Sequence, residues 1–237
     1  MKHLLLALAA ALILAGCGGG ATSVAPRVPI FPYWTIAELP AGPVSAEHLP
    51  QPAAAAVLVA PGYLVASIDG MGDVADDFLM DPTVYVFDGA AWHAGRYVDR
   101  DHKYRLALIR ADVPGTPVPL PAVDRPIARL LGIPPRLDGE APLEIAERPA
   151  VPCGEAPSWI EEGISRYRRR SLSRCFEGKV ADLSGGAMLD AIGALAGLQV
   201  NSFASSSAVG PSGSEVRAFL DLYFASWGRA VDPKPAY

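Results

Sequence analysis

At 237 residues, 51% hydrophobic and 19% charged, the chain has enough apolar material for one large domain or two small ones, and it is not disordered throughout. A formal net charge of −5 argues against nucleic acid as a partner. The absence of a heptad or Gly-X-Y repeat, or of a second long apolar run, excludes a coiled coil, a collagen and a polytopic membrane protein.

Lys2 and His3 precede an unbroken apolar run from Leu4 to Leu14, which has signal-peptide length and is short for a membrane span. The run ends in Leu14-Ala15-Gly16-Cys17, where small residues admit a peptidase and the Cys17 thiol can carry a lipid. This segment resembles the lipobox of bacterial lipoproteins. The resemblance implies cleavage of residues 1–16, lipidation of Cys17, and a membrane-anchored protein facing the periplasm. Gly18, rather than Asp, favours the outer membrane over the inner. The alternative is an ordinary secretory signal with a coincidental cysteine. Residues 17–52 read as a Gly- and Pro-rich tether, with seven prolines from Pro26 to Pro52 allowing edge strands at most. The two remaining cysteines, Cys153 and Cys175, suit one disulfide in an oxidising compartment, worth about 3 kcal/mol by loop entropy. Zinc is the weaker alternative, because neither cysteine has a histidine beside it.

The first predicted hairpin lies within Ala53 to Ile68, with Val57-Leu58-Val59 and Tyr63-Leu64-Val65 flanking Pro61-Gly62. A second joins Thr83–Phe87 to Trp92–Val98 through Asp88-Gly89. Leu106-Ala107-Leu108-Ile109 is wholly apolar, as in a strand buried on both faces. Eleven prolines between Pro114 and Pro157 exclude a long helix and mark a linker. Short strands are expected again at Trp159–Tyr167, Ala187–Leu189 and Ala194–Val200. Ser212 and Glu215 form a capping-box pattern ahead of Val216, Phe219, Leu220, Tyr223, Phe224 and Trp227, predicting a terminal helix over 213–227 and a tail over 228–237. Many short strands and one terminal helix indicate an all-β barrel or sandwich.

Two segments, in order, resemble the trypsin-like serine proteases of the chymotrypsin fold, particularly the HtrA-like branch. Ala56 to Ser67 resembles the hairpin leading to the catalytic His, and Leu106–Ile109 the strand after the catalytic Asp. Asp182-Leu183-Ser184-Gly185-Gly186-Ala187-Met188-Leu189, with Gly193 and Gly197-Leu198 beyond it, resembles the nucleophile loop and its following hairpin. The resemblance implies a double β-barrel over 53–227, with barrel 1 at about 53–120, barrel 2 at about 125–205 and a C-terminal α-helix. It places Ser184 at the nucleophile and Gly185 and Gly186 in the oxyanion loop. The other positions depart from the family's pattern: Asp69 stands at the His position, Arg105 at the Asp position, and Asp182 where the oxyanion turn keeps a glycine.

A serine hydroxyl without a base is a poor nucleophile, so the resemblance implies a cleft that binds without cutting, with Asp69 and Arg105 joined in a salt bridge. A second reading is an active atypical hydrolase using Ser184 with His93 or His102 as base; Lys179 is a weaker candidate. A third is a structural envelope lipoprotein docking an anionic partner through Arg166, Arg168, Arg169, Arg170 and Arg174. The bland reading of that arginine run is a solvated hairpin tip. Asp69, Asp73, Asp76, Asp77 and Asp81 lack Ca²⁺-loop spacing, and no metal or cofactor is expected. The expected partners are the membrane through Cys17 and a peptide or envelope protein in the cleft.

Overall fold

A computed structural model describes residues 29–36, 38–45, 49–68, 82–102, 104–134, 144–152, 172–180, 183, 185–200 and 206–226. Within them run twelve strands: β1 (Ile30–Thr35), β2 (Ala54–Ala60), β3 (Tyr63–Ser67), β4 (Thr83–Phe87), β5 (Trp92–Asp101), β6 (Leu106–Ala111), β7 (Arg129–Gly132), β8 (Ala146–Val151), β9 (Leu172–Phe176), β10 (Ala187–Leu189), β11 (Leu195–Leu198) and β12 (Ser207–Gly210). They are followed by one helix, α1 (Gly213–Ser226). The first six strands close an antiparallel barrel in the order β1-β2-β3-β6-β5-β4, and the last six form a sheet in the order β11-β10-β7-β8-β9-β12.

The second sheet also closes on itself. Gly197 bridges Ser212, Leu198 N–H donates to Pro211 O at 3.1 Å and Val200 N–H to Val209 O at 2.9 Å. These contacts join β11 to the β12 side and make a second six-stranded barrel. Gly210 sits at this seam, where an added Cβ would fall 1.7 Å from the Leu198 carbonyl oxygen. Only a residue without a side chain permits that approach.

Alternation along the strands sorts side chains between two cores. In β2, Ala54, Ala56 and Leu58 point into the first barrel, with Leu64 and Ala66 of β3 and Ala107 and Ile109 of β6. The intervening Ala55, Val57 and Val59, together with Val65, Leu106 and Leu108, meet Leu131, Ala187, Leu189, Leu195 and Leu198 of the second barrel and Val216, Phe219, Leu220 and Phe224 of α1. This is why β2 and the first four residues of β6 are apolar at every position: both faces are covered. A smaller core of Leu130, Phe176, Val180, Leu183, Met188, Ala196 and Ala208 fills the second barrel.

The capping box forms as the sequence indicates. Glu215 N–H donates to Ser212 Oγ at 3.3 Å, and Ser212 N–H donates to Glu215 Oε2 at 2.9 Å. The face of α1 opposite solvent then packs on Tyr63, whose ring meets Phe224 edge-on at 5.0 Å. Four expectations need correction. Residues 30–35 are not a tether with an edge strand, since β1 is fully buried and closes the first barrel, pairing with β2 through Ile30–Tyr33 and with β4 through Tyr33–Thr35. Pro32 is accommodated because it falls in the part of β1 that pairs with β2 alone. The segment rich in prolines holds two strands, β7 and β8, with Pro149 of β8 opposite Arg129 of β7. The second barrel extends past residue 205 to β12 at Gly210, and β5 is longer than the expected Trp92–Val98 arm. The expected strand at Trp159–Tyr167, and Trp227 with the tail, lie outside the described residues.

Gly210→Ala should force the β11–β12 seam apart and lower stability by about 3 kcal/mol. Chemical denaturation should show this as a shifted midpoint with unchanged slope, whereas Gly89→Ala, whose added Cβ meets nothing within 4 Å, should cost only its backbone strain.

Candidate functional site between the barrels

The first barrel presents one row of residues at the end of its strands that faces the second barrel. Ser67 closes β3 and pairs with Leu106 of β6, which pairs in turn with Asp101 of β5. Ala55 lies on the same side of β2, one step beyond the Ala56–Ala66 pair. Fully buried, Ser67 donates from Oγ to the Val200 carbonyl of the second barrel at 3.3 Å. Its own carbonyl accepts from Tyr33 OH at 3.4 Å. Burial pushes the Tyr33 phenol above its ordinary pKa, so it remains a neutral donor across the physiological range.

Against this row sits the loop that carries position 184. Gly185 has φ 77°, and a Cβ on it would lie 2.0 Å from the Ala55 carbonyl oxygen. The loop is therefore pressed onto the first barrel by backbone alone. A turn from Leu183 to Gly186 is closed by Gly186 N–H donating to Leu183 O at 2.9 Å, and Leu183 N–H donates to Val180 O at 3.0 Å. Gly185 N–H donates to Gln199 O, and Gln199 N–H to Gly186 O, each at 2.9 Å. The Gln199 side chain adds a third tie, from Nε2 to Val180 O at 2.8 Å. Gln199 is fully buried, and its Oε1 has no hydrogen-bond partner.

The amides of Gly185 and Gly186 are bonded to the carbonyls of Gln199 and Leu183, which shapes the loop. Ser184 and Asp182 lie outside the described residues, as does Asp69. Arg105 is described: it is half-buried and holds φ 56°, unusual for a residue with a side chain. Its carbonyl accepts from Ile68 N–H at 2.9 Å. The backbone before β6 is thus fixed beside Ile68.

The candidate bases separate by position. His93 pairs with Asp88 at 2.7 Å, at the tip of the β4–β5 hairpin. It is eight steps along β5 from Asp101, roughly 26 Å of extended chain, so it stands at the wrong end of the barrel to serve the 184 loop. His102 is exposed and follows Asp101 in the β5–β6 turn, at the same end as Ser67. Lys179 is exposed, next to the buried Val180. His48, Cys17, Cys153, Arg166, Arg168, Arg169 and Arg170 lie outside the described residues. Arg174 is placed on β9 opposite Ala208, and Cys175 opposite Ser207. Among the described residues there is no cluster of three His, Cys, Asp or Glu side chains able to hold a metal ion.

Sequence reading missed Ser67, Gln199 and Asp101. The first two act through partners 133 and 19 residues away, a pairing that no local pattern carries. Asp101 accepts Tyr104 N–H at 3.0 Å and shapes the turn leading to Arg105, a local Asp signal that could have been read.

No protein-family model and no curated protein sequence matches the chain. Solved structures do. Rv3671c from M. tuberculosis, in an inactive form, matches with a TM-score of 0.50 at 15% identity, over 73% of this chain and 82% of its own. The serine endoprotease from Yersinia pestis matches with a TM-score of 0.54 at 14% identity, over 85% of this chain and 64% of its own. The two closed barrels, the helix after the second and the loop pressed between them define the trypsin-like serine protease fold. At these identities the likeness establishes the fold and not the activity.

Two outcomes follow from the bonds at the site and at the far hairpin. Gln199→Ala removes the tie to Val180, worth about 1 kcal/mol, and should raise amide exchange at Leu183, Gly185 and Gly186 roughly five-fold while leaving β3 and β6 unchanged. At the hairpin tip, burial raises the Asp88 carboxyl, but His93 and the Ala91 and Ala90 amides outweigh it and hold the pKa below the ordinary value. Its stabilising contribution is therefore full above the unfolded carboxylate range, about pH 4, and is lost as pH falls through the lower folded value. Asp88→Asn should lower the melting temperature at pH 7 and have little effect at pH 2.

Proposed function

We propose that this protein is a lipid-anchored envelope protein whose trypsin-like double barrel is a pseudoprotease, binding a peptide segment or an envelope partner between its barrels without cutting it. What carries the reading is the pair Asp69 and Arg105, which the resemblance of the flanking strands Ala56–Ser67 and Leu106–Ile109 aligns with the catalytic His and Asp of the fold's proteases. The Arg105 backbone is already fixed to Ile68. A carboxylate and a guanidinium there neither accept a proton from Ser184 nor orient a base, and loss of a triad costs on the order of 10⁶ in turnover. The loop itself is retained, because Gln199 and Gly185 hold it against Ala55 independently of any triad.

The anchor rests on the Leu14-Ala15-Gly16-Cys17 sequence after its apolar run and implies the periplasm-facing side of the envelope. A Cys153–Cys175 disulfide belongs to the same reading. It is supported by the register of Cys175 with Val151, two residues before Cys153 in the sequence.

An active hydrolase is the competing reading, and it is favoured only by the placement of His102 at the same end of the barrel as Ser67. Labelling with a fluorophosphonate probe separates the two. The folded protein should give no label beyond that of Ser184→Ala. Labelling that requires both Ser184 and the native fold would overturn the pseudoprotease, and its loss in His102→Ala would identify the base.

A further inference from the structure

Two turn tips of the second barrel carry apolar side chains where turns ordinarily carry polar ones. Ile192, in the β10–β11 turn, is 79% exposed, and Val123, in the linker between the barrels, is 68% exposed. Ala191 and Ala122 beside them are also exposed. The fold brings the two tips to one edge. Pro121 Cδ and the Leu195 carbonyl both crowd Gly213 at the start of α1, with distances to an ideal Cβ of 3.1 and 1.8 Å. Ala128 N–H donates to Leu189 O at 2.8 Å, and Arg125 lies 3.8 Å from Asp190.

Of the two carboxylates along this edge, Asp190 is buried and Asp124 is exposed. Asp124 accepts from Ser214 Oγ at 2.5 Å. Asp190, buried, accepts from Ile192 N–H at 3.0 Å and Ala194 N–H at 2.8 Å besides its contact with Arg125. Asp124 is the one exposed carboxylate on the described residues of the two tips, and the half-exposed Arg125 beside it sets a cation next to that charge.

We propose that this edge, with Ile192 and Val123 as its leading side chains, is where the protein rests on the lipid bilayer. The proposal rests on the lipid-anchor reading of Cys17 above. Two projecting side chains are far short of the ~800 Å² per partner that a stable protein interface needs, but they suit shallow insertion at a membrane interface. There a second weak contact complements a lipid chain. The length of chain between Cys17 and Pro29 allows it. Pro29 packs against Gly115, with 3.5 Å between its Cβ and an ideal Cβ there. Gly115 and Val123 are eight steps apart along the chain, about 29 Å at full extension, while the twelve steps from Cys17 to Pro29 reach about 40 Å. The anchored terminus therefore reaches the plane of the two tips without strain.

The test uses the full mature protein, reconstituted into vesicles of phosphatidylethanolamine and phosphatidylglycerol, with an environment-sensitive fluorophore at Ile192→Cys, Val123→Cys or Ala90→Cys. Ala90 is an exposed position at the β4–β5 hairpin tip, and the unsubstituted chain serves as the labelling blank. The fluorophore at 192 and 123 should shift to the blue and be quenched by lipids carrying a nitroxide on the acyl chain, while that at 90 should do neither. Identical emission at all three positions on a protein shown by mass spectrometry to carry lipid on Cys17 would overturn the membrane-facing edge alone. Absence of that lipid from the mass spectrum would overturn the anchor, and the edge with it.

Discussion

The constraint on which the rest of the structure depends is the apolar layer shared by the two barrels. Ala55, Val57, Val65, Leu106 and Leu108 on one side meet Leu131, Leu189, Leu195 and Leu198 on the other, and α1 closes the same layer with Val216, Phe219, Leu220 and Phe224. Burial of this layer orients the two barrels, because apolar area removed from water is the dominant favourable term. The polar contacts at its rim then fix the register. Ser67 reaches Val200, and Gly185 abuts Ala55, only because the layer has already brought β2 and β3 against the second barrel.

The connection between the barrels is tied down for the same reason. Val118 N–H donates to Leu58 O and Leu195 N–H to Pro119 O, each at 2.9 Å, so consecutive linker residues bond to the first barrel and then to the second. Proline at 117, 119 and 121 removes donors that an extended linker would leave unpaired and restricts its backbone. The carbonyl groups remain, and Arg217 of α1 takes that of Leu120 at 3.4 Å.

What local sequence could show, and what it could not, divides along physical lines. The β2–β3 and β4–β5 hairpins announced themselves through Pro61-Gly62 and Asp88-Gly89, and the two-sided burial of Leu106–Ile109 through its lack of polar positions. The capping box of α1 is likewise a pattern of four adjacent residues. β1 and β8 were hidden because Pro32 and Pro149 argue against a strand unless one knows which side goes unpaired. The assignment of Asp69 and Arg105 rests on the resemblance of the strands beside them to a known family, and on nothing in their own residue types. Gln199 and Ser67 were not visible, because each works through a distant backbone carbonyl that any side chain could have faced.

Closure of the first barrel by β1 has a mechanical consequence. The strand begins at Ile30, directly after the segment that leads in from the amino terminus, and it is bonded to β2 along its first half and to β4 along its second. Hydrogen bonds in an antiparallel ladder lie across the strand axis. A pull on the residues before Pro29 therefore acts along β1 and loads both ladders in shear together, instead of peeling them one bond at a time. Tension from a tether would be borne by the barrel seam as a whole and would reach Tyr33, whose hydroxyl holds the end of β3, before it reached the second barrel.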